Sequence, residues 1–138
     1  MANWDAATRT AIAAATVGQI DAGSGAGKLR IYTGSRPAGP ATAASGTLLA
    51  EFTLSDPAFT TSAGVATLDI TPAVQDASAD NTGTAGYARF LDSDGNGRID
   101  ATVTATGGGG EVTCNTTAFV TGAVVTVTGC TITAPAGV

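Results

Sequence analysis

Three oxygen-bearing side chains at alternate positions form the only cluster in the sequence with the spacing of a metal site. Asp92, Asp94 and Asn96 occupy positions 1, 3 and 5 of a calcium loop of the EF-hand kind, and Gly97 follows at the position that requires glycine. Position 12 of such a loop supplies two carboxylate oxygens, but Val103 stands there. The missing ligand allows only weak calcium binding, and the same residues are also typical of a tight turn.

The segments on either side of this cluster favour a β-hairpin. YARFLD and RIDATVT alternate apolar and polar residues as half-buried strands do, whereas an EF-hand loop joins two helices. A turn centred on Gly95 and Asn96 would pair residue 90 with 101 and residue 88 with 103, and Phe90 would face the core. Arg89 would lie on the outer face, diagonal to Asp100, in an exposed salt bridge. We interpret the cluster as a hairpin tip, with weak calcium binding as the alternative.

The overall composition removes several classes of function. The chain of 138 residues has no histidine, which is the commonest acid–base catalyst and transition-metal ligand. Its net charge of −5 comes from singly scattered residues, so no basic patch exists to hold phosphates. No apolar run has the length of a membrane span or the features of a signal peptide. We expect a protein that is not an enzyme, has no cofactor, is made in the cytoplasm and binds neither nucleic acid nor membranes.

The two cysteines, Cys114 and Cys130, lie in strand-like apolar patterns. Cysteine behaves as a small buried hydrophobe, so positions in the core are the favoured interpretation. One disulfide between the two is the alternative, which a reducing compartment would disfavour.

Residues 1–27 predict a helix followed by a glycine hinge. The stretch 4–20 is rich in alanine and free of proline, Asn3 can cap the helix at its start, and Gly23 can end it. The larger apolar residues, which include Trp4 and Ile12, form no wide stripe. The helix could therefore fold back on its own domain or reach another copy of the chain. We expect residues 28–138 to form a single domain.

Beyond the hinge, the pattern predicts short strands separated by turns. Every second residue from Leu48 faces inward in TLLAEFTL, which leaves Leu49 outward, and Ile70 faces inward in VATLDI. In the last strand the inward phase shifts by one residue near Thr128 and Gly129, as it does at a β-bulge. About seven or eight such strands predict an all-β fold, an antiparallel jelly roll or β-sandwich with one N-terminal α-helix.

The run GSRPAGPATAASG, residues 34–46, is a long irregular loop that no regular element can absorb. Loops of this length in compact domains are usually functional or mobile, and we interpret this one as a candidate contact arm. Positions in the loop and on the helix suggest five contact residues, which are Trp4, Ile12, Arg36, Pro37 and Pro40.

Two stretches resemble a widespread family of capsid cement, or decoration, proteins encoded beside the capsid genes of tailed phages and prophages. They are GSGAGKLRIYTGSRPAGPATAASGTLLAEFTLSDPAF and NTTAFVTGAVVTVTGCTITAPAG, and the likeness extends over nearly all of the chain. The resemblance implies a jelly-roll protein that is made in a host bacterium and bridges capsomers on the outer surface of an HK97-like virion. It also implies two partners, the major capsid protein and a second copy of this chain in a homodimer. It brings no site residues with it.

A surface or secreted β-sandwich that binds carbohydrate, or that binds its ligand through calcium, is the alternative function. Sugar-binding modules stack their ligands on exposed aromatic rings, and Tyr32 and Tyr87 are the aromatic residues that the strand pattern turns outward. Two such rings make a small platform, so the cement function is the favoured one.

Overall fold

A computed structural model of the chain describes residues 2–135, and within them the fold is mostly β with one helix. Among these residues, no helix combines the length and the apolarity that crossing a membrane requires. The elements in chain order are α1 (Ala6–Gly18), β1 (Lys28–Tyr32), β2 (Leu48–Thr53), β3 (Phe59–Ser62), β4 (Val65–Leu68), β5 (Gln75–Asp76), β6 (Gly83–Thr84), β7 (Tyr87–Leu91), β8 (Gly97–Ala101), β9 (Val103–Ala105), β10 (Val112–Cys114), β11 (Ala118–Phe119) and β12 (Val125–Thr133).

Two larger sheets hold most of the strands, and their inner faces share one core. The four-stranded sheet has the order β2-β1-β7-β8, and the six-stranded sheet has the order β3-β4-β12-β10-β9 with β5 beside β12. A third, two-stranded sheet consists of β6 and β11. Phe59 of β3 packs edge-on against Phe90 of β7, with ring centroids 5.6 Å apart, and so joins the two larger sheets. The predicted all-β character with antiparallel sheets and one helix is confirmed.

Several details of the strand prediction are wrong. Leu49 is fully buried instead of outward, because the chain near residues 80–83 covers it: the Asp80 amide donates to the Leu49 carbonyl, and Gly83 lies against the Leu49 side chain. Ile70 is 39% exposed instead of inward, because β4 already ends at Leu68. The pairing of β9 with β10 is parallel. Three of the additional strands, β5, β6 and β11, have two residues each, too few to show an alternation.

The predicted β-bulge near Thr128 and Gly129 is confirmed. Thr113 pairs with Gly129, but the next residue, Cys114, pairs with Val127. Thr128 is therefore the extra residue of β12, and the inward phase of the strand shifts at that point.

The helix α1 is shorter than the predicted stretch 4–20 and packs on its own chain. Asp5, and not Asn3, caps it, since the Asp5 side chain accepts a hydrogen bond from the Thr8 amide at 2.8 Å. The helix contacts β3 and β4, and it buries Ala13 and Val17 in the core. Of the two arrangements that the sequence left open, the structure has the helix folded back on its own domain.

The glycine-rich segment after α1 lies against the tip of the β7–β8 hairpin. Ser93 donates to the Ala22 carbonyl from its amide at 3.3 Å and from its hydroxyl at 3.2 Å. Gly27 leaves no space for a side chain, because a Cβ there would stand 2.6 Å from the Ile20 side chain and 2.8 Å from the Leu91 carbonyl oxygen. These contacts position the hairpin tip relative to the helix.

The hairpin formed by β7 and β8 is confirmed, but its register differs by two residues from the predicted one. Residue 88 pairs with 101, and residue 90 pairs with 99. The connection is longer than predicted: the Gly95 amide donates to the Asp92 carbonyl at 3.1 Å, and the Asp92 amide donates to the Asn96 carbonyl at 3.0 Å. A type I turn followed by Gly95 in the left-handed region, with φ 87°, produces this geometry. Phe90 still faces the core, because a shift of two residues preserves the face.

Candidate functional site

The outer face of the four-stranded sheet carries a row of charged side chains that crosses all four strands. Glu51 of β2 pairs with Arg30 of β1, Arg30 pairs with Arg89 of β7, and Arg89 pairs with Asp100 of β8. The four residues share one face because strand side chains alternate with a period of two. The Arg30 Nε atom lies 2.6 Å from Glu51, and the Arg89 Nε atom lies 2.7 Å from Asp100. Two adjacent arginines are thus flanked by carboxylates that neutralise them.

Arg89 fixes the long loop, residues 34–46, over this face. Its guanidinium donates to the Thr42 carbonyl at 2.7 Å and to the Gly39 carbonyl at 3.3 Å. Two of its nitrogens also bind Asp100, at 2.7 and 3.0 Å. The prediction of an exposed salt bridge between Arg89 and Asp100 is right about the partners and wrong about the environment, because the two side chains are only 5% and 6% exposed.

Tyr87, on which Tyr32 stacks, holds the end of the same loop. The Tyr87 hydroxyl donates to the Ser45 carbonyl at 2.9 Å and accepts from the Ser45 amide at 3.1 Å. The Tyr32 ring stacks on the Tyr87 ring with centroids 5.3 Å apart. The prediction that both tyrosines face outward is right about the face, which they share with Arg30 and Arg89, and wrong about their exposure, since Tyr32 is 8% and Tyr87 is 1% exposed beneath the loop. The loop that was predicted as a contact arm is held against the sheet at its middle by Arg89 and at its end by Tyr87.

The five predicted contact residues belong to two different elements. In the loop, Arg36 is exposed and Pro37 and Pro40 are half-buried. Trp4 is half-buried just before α1, and Ile12 is half-buried within α1 and packs against the core. The loop lies over the outer face of the four-stranded sheet, whereas α1 contacts β3 and β4 of the other large sheet. The structure therefore groups the three loop residues and places the helical residues elsewhere.

At the hairpin tip, Asp92 is a buried acceptor of several hydrogen bonds. Its carboxylate accepts from the amides of Asp94 and Asn96, both at 3.0 Å, and from Nε and Nη2 of Arg98 at 2.9 and 2.7 Å. Asp94 and Asn96 are themselves exposed. A cation held by the three predicted calcium ligands would have to displace the Arg98 guanidinium from Asp92. Within residues 2–135, no three acidic, histidine or cysteine side chains are placed to hold a metal ion.

The charge of Asp92 makes the stability of the hairpin tip depend on pH. Burial opposes ionisation, but hydrogen bonds from Asn96, Arg98 and Asp94 outweigh it and lower the pKa of Asp92 from 3.8 to about 2. The folded chain therefore favours the carboxylate more than the unfolded chain does. This contribution to stability is fully present above the unfolded pKa of 3.8 and is lost as the pH falls towards 2.

The substitution Asp92→Asn removes this titration. We expect the uptake of protons on unfolding near pH 3 to fall by about one proton. The free energy of unfolding should then depend less steeply on pH over the range in which the carboxylate titrates, as urea denaturation at a series of pH values would measure. Asp94→Asn is the matched control, because it removes an exposed carboxylate from the same turn and keeps the hydrogen bonds that Asp92 accepts. An equal change in the two variants would contradict the role assigned to Asp92.

The cysteines provide no reactive thiol. Cys114 and Cys130 are both free and buried, which confirms their interpretation as core residues. Burial raises the pKa of each thiol to about 12. Since the thiolate is the nucleophilic and metal-binding form, neither residue is suited to catalysis or to metal binding at neutral pH.

Sequence reasoning missed two residues that shape the outer face, Arg89 as the anchor of the loop and Arg98 as the partner of Asp92. Arg98 had a local signal, because it follows Asp92 by only six residues on the returning strand of the hairpin. Arg89 had none, because its carbonyl partners in the loop are 47 and 50 residues away in the sequence.

Comparison with known proteins found no relative whose function could guide the interpretation of this site. No family model, no curated protein and no solved structure matches the chain.

Proposed function

We propose that this chain is a structural capsid cement protein and is not an enzyme. In this proposal its antiparallel sheets form a jelly roll that binds the outer surface of an HK97-like phage head. A homodimer bridges neighbouring capsomers there, so the partners are the major capsid protein and a second copy of the chain. The resemblance of residues 23–59 and 115–137 to cement proteins supports this proposal, as does the absence of histidine from the sequence.

The observation that carries the proposal is a long, mostly exposed loop whose backbone is held in one conformation. Arg89 binds the middle of the loop and Tyr87 binds its end, while most residues of 34–46 remain exposed. A loop that is already ordered loses little conformational entropy when a partner binds. Its exposed side chains are mainly those of alanine, serine and threonine, whose small size permits close approach by a second protein surface. These properties suit attachment to a repeated site on a shell.

The alternative, a surface or secreted module that binds carbohydrate or requires calcium, draws less support from the geometry. Tyr32 and Tyr87 are 8% and 1% exposed and stack on each other, so they do not form the exposed aromatic platform on which sugars stack. Asp92, the first of the predicted calcium ligands, is paired with Arg98.

Phage heads that lack cement protein provide the test. We expect that adding the purified chain raises the temperature at which such heads disassemble, because bridges between capsomers resist their separation. Light scattering during a temperature ramp measures the disassembly. Heads that already carry cement protein serve as the control and should show no further rise. An unchanged disassembly temperature of bare heads at saturating protein would contradict the proposal.

A further inference from the structure

A cavity of about 660 Å³ opens between the loop, residues 34–46, and the outer face of the four-stranded sheet. Its wall contains three of the five arginines of the chain, Arg30, Arg89 and Arg98, together with Tyr32 and Asn96. Among the described residues, neither an aspartate nor a glutamate lines it, although the whole chain carries a net charge of −5. Each of the three guanidinium groups is paired with a carboxylate that lies outside the wall, so the cavity presents N–H donors and no acidic side chain.

The carboxylates that pair with two of these arginines leave part of each guanidinium for another acceptor. Glu51 accepts from the Nε atom of Arg30, and Asp92 accepts from the Nε and Nη2 atoms of Arg98. Both Nη groups of Arg30 and the Nη1 group of Arg98 are not used in these pairs. The two side chains are each 34% exposed, so a ligand from solvent can reach them. The pairing carboxylates hold the guanidinium groups in place without entering the cavity wall.

The third arginine, Arg89, lies on the sheet and holds the loop that forms the roof of the cavity. Its donors are engaged by Asp100 and by two loop carbonyls, so it holds the loop in place. Gly97 lies directly under this roof, because a Cβ at that position would stand 2.2 Å from the Pro40 carbonyl oxygen. The cavity is therefore formed before any ligand arrives, which lowers the entropic cost of binding.

We propose that this cavity binds a ligand that carries carboxylates, with Arg30 and Arg98 as the residues that recognise them. A guanidinium presents paired N–H donors that match the two oxygens of a carboxylate, and hydrogen bonds between charged groups are stronger than those between neutral ones. The volume of about 660 Å³ admits a ligand with several carboxylates close together. Such a ligand has two sources, the acidic side chains of a protein partner and a free polycarboxylic acid. The inference concerns the single chain and does not depend on the capsid function.

Isothermal titration calorimetry of the purified chain tests the proposal with two probes, citrate and a capped Glu-Asp-Glu peptide. We expect saturable binding of at least one probe, and we expect Arg30→Gln to weaken it about tenfold. Arg36→Gln removes the same charge from an exposed position that is not part of the cavity wall, and it should bind as the wild type does. Tighter binding of the peptide identifies a protein partner as the source, and tighter binding of citrate identifies a free acid.

A second variant keeps the test decisive if Arg30→Gln does not fold. Ala43→Glu retains every arginine and places a carboxylate in the cavity wall from an exposed loop position, so it should also weaken binding. The uncharged Gln-Asn-Gln peptide should not bind to the wild type. The proposal is overturned by a lack of saturable binding for both acids up to about 10 mM, or by equal losses in Arg30→Gln and Arg36→Gln.

Discussion

Replacing Arg89 with methionine should lower the free energy of unfolding by about 3 kcal/mol and release the loop over residues 34–46. Methionine keeps much of the apolar stem, but it leaves the Asp100 carboxylate, which is 6% exposed, as a buried charge without its partner. It also leaves the carbonyls of Gly39 and Thr42 without their donor. Chemical denaturation measures the loss of stability. Hydrogen exchange of the Ser45 amide, which donates to Tyr87, measures the release of the loop.

Arg30→Met is the matched control, because it removes an arginine from the same charged row. The Arg30 side chain is 34% exposed, so the loss of its pair with Glu51 should cost less than about 1 kcal/mol. The Ser45 amide should keep its protection in this variant. Equal destabilisation by Arg30→Met and Arg89→Met would contradict the assignment of Arg89 as the anchor of the loop.

Phe90 lies on the opposite face of β7 from Arg89, and Phe90→Ala should lower the free energy of unfolding by about 3–5 kcal/mol. Phe90 is 0% exposed and packs edge-on against Phe59 between the two larger sheets. The substitution leaves a cavity that two hydrogen-bonded sheets cannot close by collapsing. Urea denaturation measures the effect. Val120→Ala, at a position that is 57% exposed, should change stability by less than about 0.5 kcal/mol. Similar values for the two variants would contradict a core shared by the two sheets.

Both predictions concern β7, which lies inside the four-stranded sheet between β1 and β8. Phe90 connects this strand to the core, and Arg89 connects it to the loop. The conformation of the loop therefore depends on an element that the core holds in place. This arrangement explains how a loop rich in small, flexible residues can keep one conformation.

The sequence predicts which residues of a strand face inward where the alternation within that strand alone decides their burial. Leu29 and Ile31 of β1 are fully buried, as their spacing indicates. The burial of Leu49 could not be predicted in this way, because the segment that covers it lies about 30 residues further along the chain. The register of the β7–β8 hairpin was missed because the DSDGNG run is compatible with turns of different lengths, and only the observed hydrogen bonds distinguish them.

The sequence also predicted only those parts of the candidate site that depend on residues close together in the chain. The hairpin tip and the partnership of Arg89 with Asp100 follow from residues that are close in the sequence. The burial of that pair, and the cavity beneath the loop, depend on carbonyl groups that the loop brings from a distant part of the chain. Backbone carbonyls are present at every residue, so no residue type marks the ones that will meet an arginine.

Binding of the purified chain to phage heads that lack cement protein tests the proposed function most directly. HK97-like phage heads that lack cement protein are mixed with increasing amounts of the purified chain and sedimented, and the protein in the pellet is measured. The cement function predicts that bound protein reaches a plateau at a fixed number of copies per head. Absence of the protein from the pellet, or an increase without a plateau, would contradict that function.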